Sequence, residues 1–164
     1  MRKTSVLAIG AHPDDIEYGC GGTLTRYRQW DHRISLLVLT AGEKGGSPEA
    51  RQQEQVASAQ ILGAEEIFWG HYADTDLPDN PELILCIERI LQQIRPDIVL
   101  VNFYDDTHQD HRNLAHATLS ATRHIRSVLF YEVPSTRTSI LTSSWTSPRC
   151  WRRSCAPCGP ISPR

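Results

Sequence analysis

Two short clusters hold most of the side chains that could do chemistry. Ala11-His12-Pro13-Asp14-Asp15 follows an apolar run near the start of the chain, and Thr107-His108-Gln109-Asp110-His111 follows another in its second half. Together they offer three imidazoles and three carboxylates. That mixture of nitrogen and oxygen donors suits a divalent ion of zinc or iron type, whereas magnesium prefers an all-oxygen shell. A hydrolytic site of this kind needs about three protein ligands and an open position, which leaves the other groups for proton transfer and charge stabilisation. Each cluster alone is ambiguous. Polar turns are common after strands, so His12 could merely satisfy backbone groups, and His108 with His111 reads equally as a surface pair at a helix start.

The elements around the clusters decide whether they meet. Strand signals at 5–10, 34–40, 67–69, 98–103 and 128–133 alternate with helix signals at 19–30, 47–62, 81–94 and 111–125. The second helix has a start at Ser47-Pro48-Glu49, apolar positions Val56, Ala59 and Ile61, and Gly63 as its stop. The third carries Leu83, Ile87, Ile90, Leu91 and Ile94 on one stripe. Strict alternation with near-continuous apolar strands predicts an α/β fold: a Rossmann-like, mostly parallel sheet with helices on both faces. In strand order 3-2-1-4-5, strands one and four are neighbours whose carboxyl-end loops flank the topological switch point. The two clusters are therefore expected in one place.

Ala-His-Pro-Asp-Asp-Ile-Glu-Tyr-Gly-Cys-Gly-Gly-Thr at 11–23, with His-Gln-Asp-His at 108–111, resembles the LmbE-like family, which includes N-acetylglucosaminyl-phosphatidylinositol de-N-acetylase and bacterial sugar deacetylases. The resemblance spans about residues 4–133. It implies metal-dependent removal of acetyl from an N-acetylglucosamine-type sugar or glycoconjugate, with Zn2+ as cofactor and Fe2+ as the alternative. It further implies His12, Asp15 and His111 as metal ligands and Asp14 as the base that takes a proton from the attacking water. His108 is then an imidazolium facing the oxyanion, and Asp110 orients an imidazole. Arg51, in an Arg-x-x-Glu helix, and Asp74 resemble groups that bind sugar hydroxyls. Without the resemblance, Arg51 reads as a solvated residue paired with Glu49 or Glu54, and Asp74 as a turn former. His32, His71, His116 and His124 read as surface or packing residues, and Glu17 as support for a helix start.

Charge divides the chain unevenly. All 19 acidic residues and all seven histidines lie at or before position 132, while five of the 17 basic residues lie after it. Residues 134–164 hold seven Ser, four Thr, five Arg, five Pro, three Cys and two Trp, with no helical or strand period. A natural basic tail is one account, although such tails are usually rich in lysine. Reading permitted codons for Ser139 onward from each third base yields another. That frame can spell His-Pro-His-Val-Phe-Val-Asp-Ile-Thr-Pro-Val-Leu-Glu-Glu-Lys-Leu-Arg-Ala-Leu-Arg, a strand followed by an amphipathic helix. The expectation is an incomplete LmbE-like domain over 1–133 and an aberrant segment of low order over 134–164, frameshifted near 134–138, which replaces the C-terminal part of the fold.

That replacement keeps a second function class open: a truncated product that binds metal or sugar without turnover. The formal net charge of −2 gives no basic field for nucleic acid, and Gly19–Gly22 matches no phosphate-binding loop. Cys155-x-x-Cys158 has no second pair, so it is poor evidence for zinc. No apolar run approaches the roughly 20 residues of a membrane span. A soluble, cytoplasmic enzyme acting on a small N-acetylated sugar is expected, with self-association left open.

Overall fold

The computed structural model describes residues 3–137. Five strands, β1 (Ser5–Gly10), β2 (Arg33–Thr40), β3 (Glu66–Tyr72), β4 (Ile98–Asn102) and β5 (Ser127–Tyr131), form one sheet in the order β3-β2-β1-β4-β5. All neighbouring strands are parallel. The intervening helices are α1 (Asp15–Gln29), α2 (Pro48–Leu62), α3 (Pro81–Ile94) and α4 (Gln109–Ala121). None is long and apolar enough to cross a membrane.

Strand residues alternate between two apolar layers because successive side chains point to opposite faces. Leu7, Ile9, Leu37, Leu39, Val99 and Val101 pack with Leu83, Ile87 and Leu91 of α3 and Leu114 of α4. Val6, Ala8, Ile34, Leu36, Val38 and Leu100 pack on the other face with Ile16, Cys20 and Leu24 of α1 and Ala59 and Leu62 of α2. This is the doubly wound arrangement read from the sequence, with every strand's carboxyl end on one rim.

Local details differ from the expected boundaries. Helix α1 begins at Asp15, not at residue 19, so its glycines lie inside the helix and not at its start. Gly19 is there because of a close approach: a Cβ would overlap the Tyr131 ring of β5. The buried face of α2 is Gln55, Ala59 and Leu62, while Val56 and Ile61 are exposed. Of the three apolar positions read from the sequence only Ala59 is buried, and a glutamine occupies an inward position beside it. Helix α4 ends at Ala121, where the Thr122 hydroxyl donates to the Thr118 carbonyl at 2.6 Å.

Residues 134–137 are tied to the loop after β4. The Thr107 amide donates to the Ser135 carbonyl and the Arg137 amide to the Asp105 carbonyl, both at 3.0 Å, and Asp106 and Thr136 form an antiparallel bridge. Residues 135–137 thus make backbone contacts with that loop. The expectation for residues 138–164 lies outside the described residues.

Gly19→Ala tests the α1–β5 contact. The added methyl is expected to cost about 1–3 kcal/mol as overpacking against a buried ring, seen as a lower denaturation midpoint with an unchanged slope. Gly22→Ala has open space around its Cβ and serves as the control.

Candidate metal centre

The loop after β1 carries His12 and Asp14 and leads into α1 at Asp15, while His108 caps α4, whose first turn carries Asp110 and His111. Since β1 and β4 are paired neighbours, these segments lie side by side at the switch point. The Ala11 amide donates to Asn102 Oδ1 at 3.3 Å, and the Tyr131 hydroxyl donates to the Ile9 carbonyl at 2.7 Å and reaches Asn102 Oδ1 at 3.0 Å. The rim of three strands is fixed by these buried bonds before the site begins.

Three donor atoms converge there. His12 Nδ1 lies 3.2 Å from His111 Nε2, His111 Nε2 lies 3.3 Å from Asp15 Oδ2, and His12 Nδ1 lies 3.5 Å from that same oxygen. Donors on a tetrahedral ion with bonds of about 2.0–2.1 Å are about 3.3 Å apart, so the triangle has the size of one face of such a shell. His108 belongs to the same group of rings, with centroids 4.6 Å from His12 and 4.8 Å from His111. The residues present fit a divalent ion held by His12, His111 and Asp15.

Each ligand-type side chain is held from behind. His12 Nε2 faces both Asp110 Oδ2 and Asp74 Oδ1 at 3.1 Å. Asp110 is fully buried and accepts the Thr75 and Leu77 amides at 2.8 and 3.2 Å. His111 Nδ1 faces Asp106 Oδ2 at 3.1 Å, and Asp106 also accepts the His108 amide at 2.8 Å. Asp15 accepts the His12 amide at 2.9 Å. Carboxylates behind metal-type imidazoles fix the ring and raise its basicity.

The protonation preferences follow. Burial works against charge on His12, but its bonds to Asp110 and Asp15 outweigh it and push the imidazole up to about 10. His111 is raised in the same contest, by Asp15 and Asp106. Burial would raise Asp15, yet the two imidazoles hold it far below the usual carboxylate range. This cluster favours positive charge between its carboxylates.

Asp14 differs from its neighbours. It precedes α1 in the left-handed region, at φ 88° and ψ −22°, and its side chain makes no capping bond. Its amide donates to Gln55 Oε1 at 3.1 Å, and Arg51 Nη2 donates to the Pro13 carbonyl at 2.8 Å and reaches Asp14 Oδ2 at 3.4 Å. Loss of solvent raises the Asp14 pKa; Arg51 opposes that rise, and Asp15 and Glu17 add to it. Its side chain remains 62% exposed, open to the cleft.

His108 Nδ1 accepts the Asp110 amide at 3.2 Å, and burial together with the neighbouring imidazoles lowers its pKa. Both features favour the neutral ring, with Nδ1 as acceptor and Nε2–H as donor, over the imidazolium. Asp74 is buried, with Oδ1 on His12 and Oδ2 accepting the Lys44 amide at 2.9 Å, so both oxygens are engaged within the protein. Arg51 pairs with neither Glu49 nor Glu54 but reaches across to the Asp14 turn. Asp106 and Gln55 were missed altogether. Asp106 stood two residues before His108 as a recognisable turn-forming Asp, whereas nothing marked Gln55.

A cleft of about 350 Å³ opens over these groups, lined by His12, Asp14, Asp15, Arg51, His108 and His111 among others. The fold and this cluster define a Rossmann-like α/β protein with a mixed cluster of nitrogen and oxygen donors, able to hold a metal ion, at its switch point. Residues 7–122 match the GlcNAc-PI de-N-acetylase (PIG-L) family model, and the chain belongs to that family. It is 37% identical to the uncharacterized deacetylase YaiS of Escherichia coli K12 over 148 residues, covering 85% of this chain and 80% of the relative. It is 32% identical to the diacetylchitobiose deacetylase of Thermococcus kodakarensis, over 66% of this chain but 45% of that protein. The conserved protein TT1542 of Thermus thermophilus superposes with a TM-score of 0.75 at 30% identity, covering 82% of this chain and 69% of its own.

His12→Ala, Asp15→Ala and His111→Ala should each abolish stoichiometric zinc measured by elemental analysis. Asp106→Asn should weaken zinc affinity about 10–100-fold while leaving a folded protein. Asp14→Asn should keep the metal. Metal loss in Asp14→Asn equal to that in His12→Ala would overturn the division between ligand and base.

Proposed function

We propose that this protein hydrolyses the acetamido group of an N-acetylglucosamine-type sugar or glycoconjugate, releasing acetate and a free amine, with zinc as the resident ion. The supporting observation is the donor triangle of His12, His111 and Asp15 beside a carboxylate, Asp14, that is held apart from it and open to the same cleft. Membership of a de-N-acetylase family supports the reaction class.

A bound zinc ion would supply a Lewis acid that acidifies water and polarises a carbonyl. The remaining work belongs to the chain. Asp14, with its pKa raised, takes the proton of the attacking water as the oxygen bonds to the acetyl carbon. His108 offers Nε2–H to the carbonyl oxygen as negative charge develops there, a neutral donor already oriented by the Asp110 amide. When the carbon–nitrogen bond breaks, the proton held on Asp14 passes to the departing nitrogen, which leaves as an amine. Arg51 keeps Asp14 in place and lines the cleft where sugar hydroxyls would lie. Asp74 acts by holding His12 and the Lys44 amide.

One observation favours a second reading, metal or sugar binding without turnover: the chain spans less than half of the diacetylchitobiose deacetylase it matches. Acetate and amine release decide between the two. The zinc-loaded chain should deacetylate an N-acetylglucosaminide, and Asp14→Asn should lose about 10²–10⁴ in kcat because an amide cannot accept the proton. Zinc binding with no release by the wild-type chain would leave the second reading standing.

A further inference from the structure

We propose that two copies of this chain join edge to edge through β5, running antiparallel about Leu129, so that each contributes its five strands to one continuous sheet. The partner is specified by the strand's own sequence. Arg126-Ser127-Val128-Leu129-Phe130-Tyr131-Glu132 complements itself when reversed, with opposite charges at its two ends and apolar residues between them.

Among the described residues β5 is an outer strand, paired with β4 alone. Along a strand the N–H and C=O of one residue point to the same side, and the side alternates from residue to residue. The Phe103 amide donates to the Tyr131 carbonyl at 2.9 Å, so Ser127, Leu129 and Tyr131 bond to β4 while Val128 and Phe130 turn their backbone groups outward. Those outward groups meet no partner among the described residues. Free edges are usually blunted by charge, proline or a bulge. The opposite edge strand, β3, follows that rule: it begins on Glu66, and its pairing with β2 is irregular beside the left-handed His71. β5 does not. Its five residues carry no charge and no proline, their register with β4 is unbroken, and Leu129 is 48% exposed.

Centring an antiparallel partner on Leu129 sets Val128 opposite Phe130 of the second copy and Arg126 opposite its Glu132. These are the residues whose backbone groups face outward, so the pairs are of the hydrogen-bonded type, while Leu129 meets its own counterpart at a non-bonded position with Cα atoms about 4.5 Å apart. Val128 and Phe130 already pack against the layer formed by α3 and α4, and each valine–phenylalanine pair extends that layer beside Tyr104, whose ring centroid lies 5.6 Å from that of Phe130. Arg126 is exposed and Glu132 half-buried, placed for two symmetry-related ion pairs. A slip of two residues sets Arg126 against Phe130 in one direction and Glu132 against Val128 in the other, so charge fixes the register. The same patch is used by both copies, which closes the contact on a two-fold axis and stops further growth. Antiparallel joining also leaves the two metal clefts on opposite rims of the shared sheet.

The experiment is analytical ultracentrifugation of the full zinc-loaded chain from about 1 to 300 µM, where a monomer–dimer equilibrium is expected with a Kd of about 1–100 µM, as suits a contact built mainly on one strand pair. Arg126→Glu and Glu132→Arg should each raise that Kd about tenfold, and the double variant, which restores opposite charges across the axis, should return it to within about threefold of the starting value. Leu129→Asp, at an exposed position, should be monomeric throughout, with circular dichroism confirming that it is folded. Oxidised Leu129→Cys should yield a covalent dimer whose 129–129 linkage is identified by peptide mass spectrometry, since the Cα separation at a non-bonded pair suits a disulfide. A chain that stays monomeric at about 300 µM, assemblies larger than a dimer, or a dimer that the double charge variant fails to restore overturns the proposal. Hydrogen exchange separates the remaining occupant: protection of the Val128 and Phe130 amides that rises with concentration sustains the second copy, and protection in the monomer means that another part of the same chain lies on the edge, which overturns it. Should Leu129→Asp fail to fold, the charge reversal and its restoration decide the matter.

Discussion

Four carboxylates, those of Asp15, Asp74, Asp106 and Asp110, are buried around two imidazoles, and none is paired with a lysine or arginine side chain among the described residues. Buried charge without compensation is costly, so the surrounding backbone has to supply what water would have supplied. The amides of His12, Lys44, Thr75, Leu77 and His108 all donate into this group. Those five amides come from the loops after β1, β2, β3 and β4. The need to solvate one cluster of carboxylates therefore draws together loops that are far apart in sequence, and the parallel sheet delivers them to the same rim. The remaining imbalance favours positive charge on or between His12 and His111, whether carried by protons or by a metal ion.

Against that rigid background Asp14 is held apart by its backbone. A left-handed conformation at a non-glycine residue persists only when its surroundings over-determine it. Here the amide is held by Gln55, the preceding carbonyl by Arg51, and Gln55 itself donates to Glu17 Oε1 at 2.6 Å, an oxygen that also accepts the Ser58 hydroxyl. This explains why α2 buries a glutamine where apolar periodicity would place a valine. The consequence is chemical: adjacent aspartates face different environments, with Asp15 held far below the ordinary carboxylate range and Asp14 raised. Divergent environments for neighbouring carboxyls separate the role of ligand from that of base.

The architecture was legible because long apolar strands and the α3 stripe carry unambiguous periods, and because parallel order brings the ends of β1 and β4 together. Boundaries failed where tertiary contact overrode local signals. The glycines of α1 marked its start four residues late, yet Gly19 answers to the Tyr131 ring from a strand over a hundred positions away. At the centre, residue types sufficed to mark the two clusters as one candidate metal site, while the choice of His12, Asp15 and His111 within them rested on the family resemblance. Finer roles depended on which atom meets which amide, and one-dimensional spacing carries none of that. The tautomer of His108 is set by the Asp110 amide, Asp74 is turned inward by Lys44, and Asp106 acts on a ring five residues ahead of it.

The junction after β5 has a bearing on the centre that composition alone concealed. The Thr136 hydroxyl donates to Asp106 Oδ2 at 3.2 Å, Ser135 Oγ lies 3.4 Å from His111 Nδ1, and the Ser135 carbonyl accepts the Thr107 amide. These residues belong to the layer that orients His111, although they open a segment whose serine, arginine and proline content sets it apart. Asp106 is fully buried, and the hydroxyl of Thr136 joins His111 Nδ1 on its second oxygen. The contacts that complete the carboxylate cluster therefore reach as far as residue 136. A change of reading frame placed a few residues earlier would remove a donor from Asp106, while one placed just beyond would leave the carboxylate and imidazole cluster with every partner described here.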